Sequence, residues 1–534
     1  MRLALVALVG AAAAAHADGA HDHAAAAPAP APSRPAEGLG SHHRAISCAG
    51  AERGAWFDEG LRLYYAFDLE GAERAFRRAE AGGCAIARWG VALALGPNLN
   101  LPQLPARSAA ARAILAPPPD GAWPVEAALY LALRGRYDGA TPAAGDRAYA
   151  AAMRALRGRF PHDADVIALG VAARLELRPF AQWSPRGAPA PDTLDLVATL
   201  ERALAEAPAH PGLVHYYVHA MEGSPYPERA LAAADRVGTL MPAAPHLVHM
   251  PSHIYLRTGR YADAAAWNRK AIAAGEAWRR GGRVGPIFEM YLLHNHHFLW
   301  LAALALGRST EARAEAELLA RACTPEALAA MPGMEPLLAL PALTAVRFAE
   351  WGRIGALPLP GEDRPFAGGL VRFARVRALA ARAAPEADGE LAALDRIAAS
   401  LRRAPPAGAN PPGAVLRLAA TLARGDLMAR RGAGDAAVRT LREVVRLEDA
   451  LAYDEPPSWP LPARETLGRV LLDAKRFTEA ATVFAEALRR RPDDGWSLDG
   501  LARALEGQGK PAEALRARAQ GAFAEADGPR AIDR

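Results

Sequence analysis

The stretch 467–494, LGRVLLDAKRFTEAATVFAEALRRRPDD, decides the fold. It reads as a helix, a short break at Lys475-Arg476, a second helix and then Pro492, which cannot continue it. The next stretch, LDGLARALEGQGKPAEALRARAQ, repeats the plan: Leu467 and Leu501 are 34 residues apart, and so are Ala480 and Ala514. A constant period of this size marks an array of helix pairs. One pair cannot bury its apolar face alone, so neighbouring pairs stack into a superhelix with a concave and a convex wall.

The alternation of small and large residues at Gly468, Phe477, Ala480, Phe484, Ala487 and Pro492 resembles the tetratricopeptide repeat. Gly60, Leu63, Ala72, Phe76 and Ala79 follow it near the front of the chain. In the middle, Ala230 and Pro242 fall in register, followed by Tyr255, Gly259, Tyr261, Ala264 and Ala271 in a unit 34 residues on. LALGRSTEARAEAELLA gives one more unit, after an insertion around WRRGGRVGPIFEMY. The segment 97–200 is helical by pattern but repeats poorly, and EPPSWPLPAR (455–464) interrupts the array before its last two units. The fold implied is all-α, a tetratricopeptide-repeat α-solenoid of antiparallel helix pairs.

Composition agrees with a folded helical chain: of 534 residues, 51% are hydrophobic and 7% aromatic. The net charge of +5 is small, and its basic residues are arginines interleaved with acids, apart from Lys270, Lys475 and Lys510. No basic block points to nucleic acid. At the start, Arg2, the apolar run LALVALVGAAAAA and the small-residue site AHA read as a signal peptide over 1–17. Export, most simply to a periplasm, is the expectation, with no span of the membrane after cleavage. Residues 18–44, rich in Ala and Pro and carrying His21, His23, His42 and His43, read as a disordered tether. Beyond it the expected divisions are 45–200, 201–325 (central, histidine-rich), 326–453 and 454–525, with a tail at 526–534. Cys48 and Cys84 each precede an expected helix, and an oxidising compartment permits a disulfide between them. Cys323 reads as a buried small residue.

Histidines supply the functional signal. Counted from Pro211 and from Pro245, His215 and His249 are fifth in their units, and His219 and His253 ninth. His246 is second in its unit, and Glu222 is twelfth in the earlier one. In the next unit, set by Gly307 and Ala312, His294 is second and His297 fifth. Steps of three and four residues keep these places on one helix face. In tetratricopeptide domains that face of the first helix lines the concave groove. The resemblance therefore implies that His215, His219, Glu222, His246, His249, His253, His294 and His297 converge on one wall. His296, one place off, reads as packing, and Pro251 should weaken or restart its helix.

A lone histidine is ordinarily a groove or cap residue, but this many in register are not, and burying them as core would need as many partners. Imidazoles with a carboxylate are a ligand set for Zn²⁺ or Cu²⁺, and the i,i+4 pairs can chelate from one helix. Without metal, the same groove, with Arg257 and Tyr216, would hold a peptide or protein partner or a small acid. Clustered imidazoles depress one another's protonation, which a metal or bound anion relieves. HExxH, G-x-S-x-G, phosphate-loop and CxxC patterns are all missing from the sequence. A metal-dependent hydrolase or oxidase with Glu222 as base, and a plain assembly scaffold, are the rival classes.

Five stretches together look like a family of exported bacterial tetratricopeptide-repeat proteins: WGVALALGPNLN, LVHYYVHAMEGSPYPERAL, PHLVHMPSHIYLRTGRYADAA, LLHNHHFL and EPPSWPLPARETLG. The resemblance spans most of 48–525 and implies fold and export, with no activity or ligand attached. Pro245 stands where that pattern leads us to expect glycine.

Overall fold

The computed structural model describes residues 34–528 except 49, 116, 284 and 407. The expected signal peptide, the tether up to residue 33 and the end of the tail lie outside the described residues. Within them the chain is a succession of antiparallel helices, and the quoted stretch forms the pair Ala463–Asp473 and Phe477–Arg490.

One turn recurs between paired helices, at Phe67, Gly259, Gly307, Ala349 and Lys475, each with positive φ. In each, the next residue's N–H reaches back five residues, as from Arg260 to Tyr255 O, Arg308 to Ala303 O and Arg476 to Leu471 O. That bond satisfies a carbonyl left over at the helix end and swings the chain into the second helix. Glycine suits the left-handed turn best, and at Gly259 it also lets the Pro492 backbone come close.

Phenylalanine wedges set the spacing of neighbouring units. A Cβ at Gly468 or at Gly500 would fall inside the Phe484 ring, and a Cβ at Gly60 or Gly90 would fall inside that of Phe76. The ring of a second helix thus fills the gap between two successive first helices, and glycine on both sides makes the room. This is the physical content of the small-large alternation.

Two apolar cores result. One runs from Leu39 to Met334 and the other from Trp300 to Ala526. They meet along the helix Pro286–Leu306, which gives Leu299 to the first and Trp300 to the second. The later units fold back on the middle of the chain, with Phe523 and Ala526 against Gly307.

Residues 34–44 correct one expectation. They do not behave as a solvated tether: Leu39 and Arg44 are buried, and Arg44 pairs with Asp163 and Asp165 at 2.9 and 2.8 Å. His42 Nε2 and His210 Nε2 each lie 3.0 Å from Asp165 Oδ1, and the Tyr65 hydroxyl donates to the same oxygen at 2.7 Å. Composition hid this clasp because its binding groups are polar and their partners lie on other helices, Asp58 and Glu59 nearby and Asp163 and Asp165 over a hundred residues away. Cys48 and Cys84 are joined by a disulfide, their Cα atoms 5.3 Å apart, and Cys323 is buried. None of the described helices is long and apolar enough to cross a membrane.

Candidate metal centre

Six helices carry the site: α1 (Ala51–Tyr65), α2 (Pro211–Glu222), α3 (Pro245–His249), α4 (Pro251–Thr258), α5 (Tyr261–Arg280) and α6 (Pro286–Leu306). Pro251 has no N–H to give, so the helix running from Pro245 is divided at Met250. The division matters: His246 joins the histidines of α2, whereas His249 and His253 face α6.

The histidines form two sets of three. In the first, His215 Nε2 lies 3.1 Å from His219 Nε2 and 3.2 Å from His246 Nε2. In the second, His249 Nε2 lies 2.8 Å from His253 Nε2, and the His294 ring centre is 4.9 Å from that of His249. The repeat builds the same object twice. The fifth- and ninth-place histidines of one unit form the pair, and the second-place histidine of the following unit completes it. His297 is fifth in the third unit, but the ninth place there is Leu301, so no third set forms. His297 stands apart, half-buried, its ring 5.4 Å from that of Trp300.

The other ring nitrogens fix the protons. His215 Nδ1 lies 2.6 Å from the carbonyl oxygen of Tyr65, which can only accept, so Nδ1 carries the hydrogen. His219 Nδ1 donates to Glu222 Oε1 at 2.9 Å. Burial holds both imidazoles below their ordinary pKa and neutral, reinforced by His219 in the case of His215 and only partly opposed by Glu222 in the case of His219. Their Nε2 atoms therefore present lone pairs to each other at 3.1 Å. In the second set, Asn268 gives its amide hydrogens to Ser252 Oγ and Ala264 O, which turns Oδ1 toward His249 Nδ1 at 2.7 Å. His253 Nδ1 sits 2.5 Å from Glu222 Oε2 and 2.9 Å from Glu455 Oε2. Here a proton can relieve the contact: burial opposes it, but Glu455 and Glu222 raise His253 to about 10. In the first set no proton relieves the His215–His219 contact, whereas His246, whose Nδ1 has no partner, can carry its hydrogen on Nε2 toward His215.

Glu222 is placed behind the imidazoles rather than among the Nε2 atoms, as a carboxylate ligand would be. One oxygen holds His219, the other faces His253, and the Tyr453 hydroxyl donates to the latter at 3.1 Å. Burial alone would raise Glu222, but His253 and His219 hold it well below the usual carboxylate range. Burial and then Glu222 push Glu455 up to about 8, with His253 opposing. Glu222 thus joins the two sets through a single side chain.

Tyr453 and Glu455 belong to the interruption EPPSWPLPAR and its approach, which crosses to the histidine face. The six histidines are at most 8% exposed, so the expected open wall of imidazoles is instead closed over by the chain's own later loop. Phe67, held in the left-handed turn, adds a cover, its ring centre 5.8 Å from His219 and 5.1 Å from His246 in stacked geometry. A bulky residue with positive φ stores local strain and persists where its surroundings require it. Phe298 packs beneath the second set, 4.6 Å from His249 and from His253.

Two expected residues behave differently. Tyr216 is buried against Tyr65 and Phe67, its ring stacked 5.5 Å from that of His215, so it packs beside the first set and lines no open groove. Arg257 donates to Ser224 O at 3.0 Å and lies over the Tyr453 ring, so it braces the covering loop. His296 pairs with Glu315 at 2.6 Å. Sequence reasoning missed Glu455, Tyr453, Asn268 and Phe67 as parts of the site. Only Glu455 carried a signal, as the first residue of the distinctive EPPSWP stretch.

No protein-family model and no curated protein matches the sequence. Among solved structures, the chain is similar to the human IFIT1 dimer with PPP-AAAA, at 12% identity, 88% of this chain, 89% of that one and a TM-score of 0.32. It is also similar to yeast Tom70, at 11%, 89%, 96% and 0.33, and to the APC/C hetero-tetramer Cut9-Hcn1, at 11%, 89%, 88% and 0.28. Likenesses this distant say nothing about the site. The recurring turn, the phenylalanine wedges and the stacked antiparallel pairs define the class: the chain is a tetratricopeptide-type α-solenoid.

Proposed function

We propose that this protein binds transition metal, Zn²⁺ or Cu²⁺, in two neighbouring three-histidine sites enclosed by its solenoid. The observation that carries the reading is the first set, where two neutral imidazoles with assigned tautomers direct Nε2 lone pairs at each other across 3.1 Å, with a third Nε2 3.2 Å away. Lone pairs at that distance repel unless a cation lies between them. Three nitrogens each about 2.0–2.1 Å from one ion would stand about 3.3 Å apart in a tetrahedral arrangement. Nδ1 hydrogen bonds to a carbonyl, a carboxylate and an amide oxygen are the supports that fix ligating imidazoles. Glu222 adds opposing charge where two ions would be buried, and Glu455 would do so on giving up its proton.

Export to an oxidising compartment belongs to the same proposal and is supported by the apolar amino-terminal run and the Cys48–Cys84 bond. Partner binding, the common use of helical-repeat surfaces, is proposed for the exposed walls rather than for the closed centre.

Elemental analysis of tag-free protein tests the metal reading. Up to two equivalents of zinc or copper are expected, with one lost in His215→Ala plus His219→Ala and the other in His249→Ala plus His253→Ala. Absence of metal after loading with either ion would end it.

A further inference from the structure

An ion needs only a narrow polar path to reach the two sets, yet a large apolar cleft opens beside the second. Its cavity volume is about 170 Å³, and it draws its wall from segments far apart in sequence, including Met290, Leu337, Leu340, Phe366 and Leu370. Its polar lining includes His294 of the second set, Glu455 and the unassigned His297. Asp454, which also lines it, is already occupied by Ser458 Oγ at 2.6 Å and by the Ala409 and Glu455 N–H groups.

His297 is the informative residue. It is the third-unit counterpart of His215 and His249, but Leu301 replaces its pairing partner, and no hydrogen bond to protein holds it among the described residues. Burial keeps it neutral, so one ring nitrogen can donate and the other accept. A half-buried imidazole facing an apolar chamber, next to a metal-ligating set, matches one kind of occupant. Pockets for small organic molecules have this build, a carbon wall with a few convergent polar groups that fix orientation.

We propose that this cleft binds an apolar, aromatic-sized organic molecule whose single hydroxyl group hydrogen-bonds His297, which brings that group beside the second histidine set. The proposal deepens the metal reading, on which its functional sense rests, but binding itself can be measured independently of metal content.

The probes are 4-phenylphenol and 4-methoxybiphenyl, which share a body but differ in the hydroxyl hydrogen. They are titrated calorimetrically into full-length protein while metal is measured in parallel. 4-Phenylphenol should saturate at one per chain, and His297→Leu should weaken it about tenfold, the loss of one buried hydrogen bond. The methoxy compound, which can accept from the imidazole but not donate to it, should bind more weakly and lose less than 4-phenylphenol on that change. Leu340→Trp should fill the chamber and abolish binding of both probes, with metal content unchanged. If that variant melts early by circular dichroism, Leu370→Trp takes its place. Absence of saturable binding to wild type would overturn the proposal, and so would binding that survives a folded tryptophan variant or saturation only by an apolar peptide. Saturation of a protein that takes up no metal would support the cleft and sink the metal reading alone.

Discussion

Glu222 makes a prediction that separates a designed pair of sites from a chance gathering of histidines. Its carboxylate touches both sets, through His219 at 2.9 Å and His253 at 2.5 Å, whereas Asn268 touches only His249. Glu222→Gln keeps the volume and one acceptor but removes the charge that makes both imidazoles better ligands. Loss of such a supporting partner lowers metal affinity by about 10–100-fold, or about 1.4–2.8 kcal/mol for each site. The substitution should therefore weaken two binding events at once. Asn268→Ala should weaken one by a similar factor and leave the other within about twofold, because it braces the second set alone. Competition titration against a chelator of known affinity, resolved into two steps, reads both outcomes. A Glu222→Gln protein with two unchanged affinities, or an Asn268→Ala protein that loses both equally, would refute the assignment of supports to sets.

Three further outcomes test the fold. Gly468→Ala and Gly60→Ala each push a methyl into a phenylalanine ring and should cost about 1–3 kcal/mol, seen as lower melting temperatures; unchanged melting would remove the wedge argument. Arg44→Ala leaves Asp165 buried and less paired, a loss of about 3–5 kcal/mol, and should make residues 34–44 the first of the described segments to be cut in limited proteolysis. Acid should destabilise the clasp. Burial, only partly opposed by the Asp165 hydrogen bond, lowers the His210 pKa below its ordinary value. The unfolded chain then binds more protons between that lowered value and about 6.5, so stability is lost as pH falls below about 6.5 at up to about 1.4 kcal/mol per unit. Urea midpoints at pH 7 and pH 5 should show this slope, and His210→Gln at equal metal content should reduce it; a slope indifferent to that change would count against it.

The limits of the sequence are visible at particular residues. Helix pairs, their period and their recurring turn follow from local rules, since a period of 34 and a left-handed residue such as Gly259, Gly307 or Lys475 before the second helix need only nearby positions. The face shared by His215, His219, His249 and His253 follows from the same periodicity. Residues 34–44 were misread because composition reports what a segment could bury by itself, and Arg44 and His42 are held by Asp163 and Asp165 from another helix.

The chain's own pattern determined an all-helical repeat and put eight candidate residues on equivalent places of neighbouring units. Only the tertiary structure sorted them into two sets of three, moved Glu222 behind the Nε2 atoms and left His297 beside a cleft with no hydrogen-bond partner among the described residues. The break at Pro251 aims one helix at two neighbours, and the 453–458 loop returns from two hundred residues away to close the centre. Periodicity fixes the direction of a side chain along its own helix. Which nitrogen meets which, and whether water is shut out, depends on how distant segments pack, and no local pattern carries that information.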